Sequence, residues 1–84
     1  MKFAGMNMKV RDLIRSKRIK LNFSQAELAR QLNVSSQLVN QIEKGSKKLP
    51  VSLIRKTAKV LQLSIQSLID AKIEETREEI ERVA

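Results

Sequence analysis

Cysteine and histidine are both absent from the 84 residues. Without cysteine there is no disulfide, no thiolate zinc site and no thiol nucleophile. Without histidine the commonest general base and metal ligand is gone. Tryptophan and tyrosine are missing too, which leaves Phe3 and Phe23 as the only aromatic residues. That excludes an aromatic platform stacking successive bases of a single strand. No apolar run approaches the ~18–20 residues of a membrane span. The opening MKFAGMNMKV lacks the apolar stretch of a secretory signal. A cytoplasmic protein with no membrane partner is the expectation. A chain this short buries only ~60–65% of its unfolded surface, so one small domain is expected.

Acidic residues are scarce over most of the chain. Lys and Arg number 17 against 9 Asp and Glu, a net charge of +8. The imbalance is uneven. Residues 1–69 hold 14 bases and 3 acids, a net of +11, whereas residues 70–84 hold 3 bases and 6 acids, a net of −3. A basic body with a short acidic end points to a polyanion partner, most often nucleic acid.

Two glycines and one proline are the only strong punctuation. Strand-like alternation is absent and helical spacing recurs, which predicts an all-α fold of five helices. Residues 1–7 read as a flexible arm. A first helix is predicted over Met8–Leu21, with Val10, Leu13, Ile14 and Leu21 as its apolar stripe. Asn22 tolerates the left-handed conformation that ends helices. Ser24-Gln25-Ala26-Glu27 fits a capping box and opens a second helix that presents Leu28, Ala29 and Leu32. Asn33 stops it. Ser35 is the natural N-cap of a third helix carrying Leu38, Val39 and Ile42, and Gly45 ends it. Pro50 is expected to open the fourth helix, where its missing N–H is harmless. Ser64 caps the fifth.

The tract SQAELARQLNVSSQLVNQIEKG therefore sets two short helices about three residues apart. Asn33 takes the positive-φ place in the turn, Val34 drops into the core, and small Ala29 lets the helices approach. This is the anatomy of a DNA-binding helix-turn-helix. The third helix is two-faced: Ser36, Gln37, Asn40, Gln41 and Lys44 lie opposite Val39 and Ile42. Asn and Gln can bond adenine N6 and N7 bidentately, and Ser serves several bases. Outside such a motif the same face is an ordinary solvated surface. Gln25 sits in the first turn of the second helix, where free N–H groups and the positive dipole end favour phosphate. Lys44, Lys47 and Lys48 bracket the following loop and are candidate backbone anchors. Lys9, Arg11 and Arg15 are weaker candidates, expected farther from the motif. Arg18 and Glu43 fall on core-facing stripes. An unpaired buried charge is costly, so they are expected to pair and to play a structural part.

From Lys17 to Pro50 the sequence resembles the DNA-binding domains of lambdoid phage repressors and Cro proteins, the Cro/cI-type or XRE family. The likeness covers roughly residues 9–69, with SQAELA and QIEKG as its specific motifs. It implies a five-helix domain that binds double-stranded operator DNA as a dimer. Ser36, Gln37 and Gln41 match the family's base-reading positions, and Gln25 matches its phosphate clamp. Arg18 and Glu43 match an internal ion pair. Asn33 departs from the glycine that the family prefers, and residues 70–84 have no counterpart in the minimal domain.

Over residues 69–83, Ile69, Ile73, Thr76, Ile80 and Val83 are spaced 4, 3, 4, 3, a short heptad seam. Glu74–Arg77 and Glu78–Arg82 are placed to pair along the helix. Residues 70–84 thus read as an acidic helical extension of a domain spanning 8–69. It either forms a homodimer, binds a partner protein, packs back on its own domain or frays as a tail. The leading expectation is a sequence-specific transcriptional regulator, a repressor by occupancy, associated with the nucleoid. The alternative is an antitoxin or interaction module acting through the acidic helix. Paired carboxylates in a pocket, metal-ligand spacing and a glycine-rich phosphate loop are all missing, so neither an enzyme nor a cofactor is expected.

Overall fold

The computed structural model describes residues 8–83, and the arm expected over residues 1–7 lies outside them. Five helices follow in order: α1 (Val10–Lys20), α2 (Gln25–Leu32), α3 (Ser36–Lys44), α4 (Ile54–Leu61) and α5 (Ile65–Val83). The all-α, five-helix expectation holds, and its last helix is the long one.

Local chemistry sets the breaks. Asn22 (φ 62°) and Asn33 (φ 59°) take the left-handed conformation that closes α1 and α2. Ser24 Oγ accepts from the Glu27 N–H at 3.0 Å while Glu27 Oε1 accepts from the Ser24 N–H at 2.9 Å, completing the capping box. Ser35 Oγ caps α3 by accepting from the Leu38 N–H at 3.1 Å. Gln62, which carries no sequence warning, closes α4 at φ 56°.

One boundary differs from expectation. Pro50 is extended (φ −60°, ψ 141°) and precedes a single 3-10 turn, Val51–Leu53, so α4 starts only at Ile54. The Leu53 N–H donates to the Pro50 carbonyl at 2.9 Å, so the tighter i→i+3 pattern replaces a first α-helical turn. Leu49, just ahead of it, is buried at 2% exposure and fixes the path of the loop.

The core is built from Val10, Ile14, Leu28, Leu32, Val39, Ile42, Leu61 and Leu68, drawn from all five helices. Helices α2 and α3 pack on one another, and α1 and α4 back them. Helix α5 crosses the 69/70 position without a break, so the acidic extension continues the domain's last helix. No described helix is long and apolar enough to cross a membrane.

Candidate nucleic-acid interface

The α2–α3 pair is a rigid corner. The Val34 N–H donates to the Ala29 carbonyl at 2.9 Å, and Asn33 to the Arg30 carbonyl at 3.2 Å, so the three-residue connection is closed at one end. The Ser35 cap closes the other. Helix α3 is then held by Val39 and Ile42, both buried. On its opposite side Ser36 and Gln37 are exposed, and Asn40 and Gln41 are half-buried. Ser36, Gln37 and Gln41 keep their side chains free of hydrogen bonds to other described residues, so their donors and acceptors are open.

Asn40 and Gln25 differ. Asn40 Nδ2 donates to Gln25 Oε1 at 3.3 Å, and Gln25 Nε2 donates to Glu43 Oε1 at 3.1 Å. Glu43 in turn receives the Arg18 fork, Nε to Oε2 at 2.6 Å and Nη2 to Oε1 at 3.0 Å. The third arm of the fork, Nη1, donates to the Phe23 carbonyl at 2.7 Å. The side chains of Arg18 and Glu43 are 12% and 2% exposed, so the pair is internal, as their stripe positions required. The Gln25 and Asn40 extension of this network is new. Its partners lie 15 and 18 residues apart, and no local spacing announces them.

The basic loop is tied to the end of α3. The Gln41 carbonyl accepts from the Ser46 and Lys47 N–H groups at 3.0 and 3.2 Å, and from Ser46 Oγ at 3.2 Å. Gly45 sits at φ +85°, and a Cβ there would fall 2.5 Å from Arg11 Nη1. The Arg11 guanidinium therefore lies against the end of α3, nearer the motif than the sequence suggested. Lys9, Arg11, Lys47 and Lys48 line one groove, which Glu75, Glu78, Glu79 and Arg82 of α5 close from the other side. Lys48 Nζ meets Glu79 Oε1 at 2.8 Å. The hydrogen bond from Lys48, together with its charge, holds the Glu79 carboxyl below its ordinary value. Arg77 pairs with Glu74 at 3.4 Å and Glu81 at 3.3 Å, whereas Glu78 and Arg82 do not close the pair their spacing allows. Lys44 is exposed in the last turn of α3.

The heptad seam stays open. Ile73, Ile80 and Val83 are 59%, 60% and 83% exposed. Ile73 and Ile80, with Val51, Ile54, Ile65 and Ile69, line a groove of about 820 Å³ between α4 and α5. The described residues contain no group of three or more acidic side chains able to hold a metal ion.

A family model described as helix-turn-helix matches residues 14–68, and the chain belongs to that family, of the Cro/cI or XRE type. Among solved structures it is similar to the P22 c2 repressor in complex with a synthetic operator. The two are 26% identical with a TM-score of 0.69, over 76% of this chain and 97% of that one. It is also similar to the clp gene regulator ClgR from C. glutamicum, at 26% identity and TM-score 0.64, over 77% and 86%. The enzyme HppE carries a comparable domain, at 27% identity and TM-score 0.62, but the likeness spans only 33% of that chain. No curated protein matches the sequence.

Proposed function

We propose that this chain is a non-catalytic, sequence-specific regulator of transcription that docks α3 into the major groove of double-stranded operator DNA. The observation that carries this reading is the polar row on α3, with Ser36 and Gln37 exposed at its start, on a helix fixed by a capped, left-handed turn. Gln37 and Gln41 are one turn apart, ~6 Å along the axis, which suits neighbouring base pairs. Gln25, Lys44, Lys47 and Lys48 supply backbone contacts that set register. The basic residues 1–69 supply the sequence-independent attraction. Action by occupancy makes the protein a repressor where its site overlaps the polymerase.

A second copy of the chain is the partner that suits the α4–α5 groove. Ile73, Ile80 and Val83 stand exposed at heptad spacing. Arg55, Lys72, Arg77 and Glu81 form the polar rim of the groove around this apolar stripe. A different protein bound to the acidic helix is the competing outcome.

The test begins with selection of bound sequences from random duplex DNA. Gln37→Ala is then compared with the parent on the selected site and on scrambled DNA at matched salt. The expected loss on the selected site is ~1–3 kcal/mol, with preference relaxed at one base position per half-site. Scrambled DNA should be bound almost unchanged, because glutamine adds no charge. Equal losses on both would remove Gln37 from the reading face.

A further inference from the structure

The Arg18–Glu43 pair touches more than the core. Glu43 Oε1 accepts from Gln25 Nε2 at 3.1 Å, and Gln25 Oε1 accepts from Asn40 Nδ2 at 3.3 Å. An ionised carboxylate only accepts hydrogen bonds. It therefore dictates which end of the Gln25 amide faces it: Nε2 must turn inward and Oε1 away. The carbonyl end then dictates the next group, because Asn40 can meet it only with its Nδ2 donor. One buried charge thus sets the polarity of two amides in sequence. Arg18 grips both oxygens of that carboxylate, which leaves Gln25 only the outer side of Oε1 to meet.

We propose that Glu43 and Asn40 are positioning residues for DNA-backbone capture, holding the Gln25 amide in the single orientation that leaves its second Nε2–H to donate to a phosphate oxygen. This rests on the DNA-binding reading above. A free glutamine amide presents oxygen or nitrogen with equal ease, and its oxygen repels phosphate. A pinned amide presents only the donor, and the rotamer entropy of a long side chain is lost on folding rather than on binding. Asn40 then acts as a strut between α3 and α2. Its contribution falls on every DNA sequence alike, in contrast to that of Gln37.

The experiment has two arms on the full chain. In the first, the Gln25 side-chain amide is followed by 15N NMR in the DNA-free protein. The two Nε2–H resonances are expected farther apart than those of a free primary amide, with slowed solvent exchange. Both Asn40→Ala and Glu43→Gln should move them toward the values of a free amide, and Asn40→Ala should leave the melting temperature nearly unchanged. In the second arm, affinity is measured on selected and scrambled duplexes. Asn40→Ala should weaken both by about threefold to fivefold, within the range of one modest hydrogen bond. It should add nothing in a Gln25→Ala background, which is itself weakened about tenfold. A loss confined to the selected site, with altered preference at one base, would make Asn40 a reader and overturn the strut. Additive losses in the double variant, or a free-amide signature in the parent protein, would overturn the relay while leaving DNA binding intact. Failure of the parent protein to bind any duplex would overturn the DNA reading and the purpose of the relay together.

Discussion

At the residue scale the decisive feature is a charge pair with almost no water around it. Glu43 has 2% of its side chain exposed and Arg18 12%, and every oxygen of the carboxylate is engaged. Such a pair need not add net stability, because desolvation offsets much of the attraction. Breaking one side is another matter. Glu43→Ala should destabilise the fold by ~3–5 kcal/mol, since it leaves the guanidinium buried and unneutralised. A second change, Arg18→Met, should recover much of that loss by filling the same space without charge. Urea melts of the single and double variants decide the point. An unchanged midpoint for Glu43→Ala would mean that solvent, rather than Glu43, satisfies Arg18. The pairing was legible in sequence because each residue sat on an apolar stripe where no lone charge survives. The onward bonds to Gln25 and Asn40 were not, because two amides on separate helices carry no periodic signal until tertiary packing brings them together.

At the element scale, what could be read was what is determined locally. The caps of α2 and α3 follow from four-residue patterns, and the structure places both where those patterns put them. The start of α4 and the packing of α5 beside the basic loop depend on distant contacts, which local patterns do not carry. Proline suits both a first helical turn and the extended residue ahead of one, and burial of Leu49 selects the second. The acidic turns of α5 lie beside the basic loop, 31 positions away in sequence, with Glu79 on Lys48. That contact occupies one of the lysines offered for phosphate. Glu79→Gln should therefore raise affinity for any duplex, by up to about fivefold at low salt, as expected when a surface ion pair no longer competes. The gain should vanish in a Lys48→Ala background and exceed that of Asp70→Asn, which removes an equal charge elsewhere on α5. A gain equal to that of Asp70→Asn would reduce the effect to net charge. The sign with pH is fixed as well. The Glu79 pKa is depressed by Lys48, so the contact is fully present above the ordinary glutamate value and is lost as pH falls through the lowered one.

At the scale of the whole molecule, the open seam on α5 and the proposed reading face on α3 impose a geometry together. The seam leaves Ile73 and Ile80 more than half exposed. A second copy that covers this face is related to the first by a two-fold axis, and the axis fixes where its α3 lies. For both α3 helices to enter successive major grooves on one side of the duplex, half-site centres must stand ~34–36 Å apart, about one helical turn. Two protomers side by side, each 37 × 28 × 19 Å, are of the right size. On the proposed two-fold pairing, replacing Ile73 and Ile80 together by glutamate should convert dimers to monomers in sedimentation equilibrium. Helix content should be kept, because neither side chain is buried in the protomer. Affinity for a two-half-site operator should fall ~100-fold or more, as the second contact ceases to be intramolecular, while affinity for an isolated half-site should change little. Inserting five base pairs between half-sites turns the second to the opposite side of the duplex. That insertion should weaken the parent protein severely and leave the monomeric variant unaffected. A parent protein that sediments as a monomer, or a variant that responds to the insertion as the parent does, would assign the α5 face to a different partner.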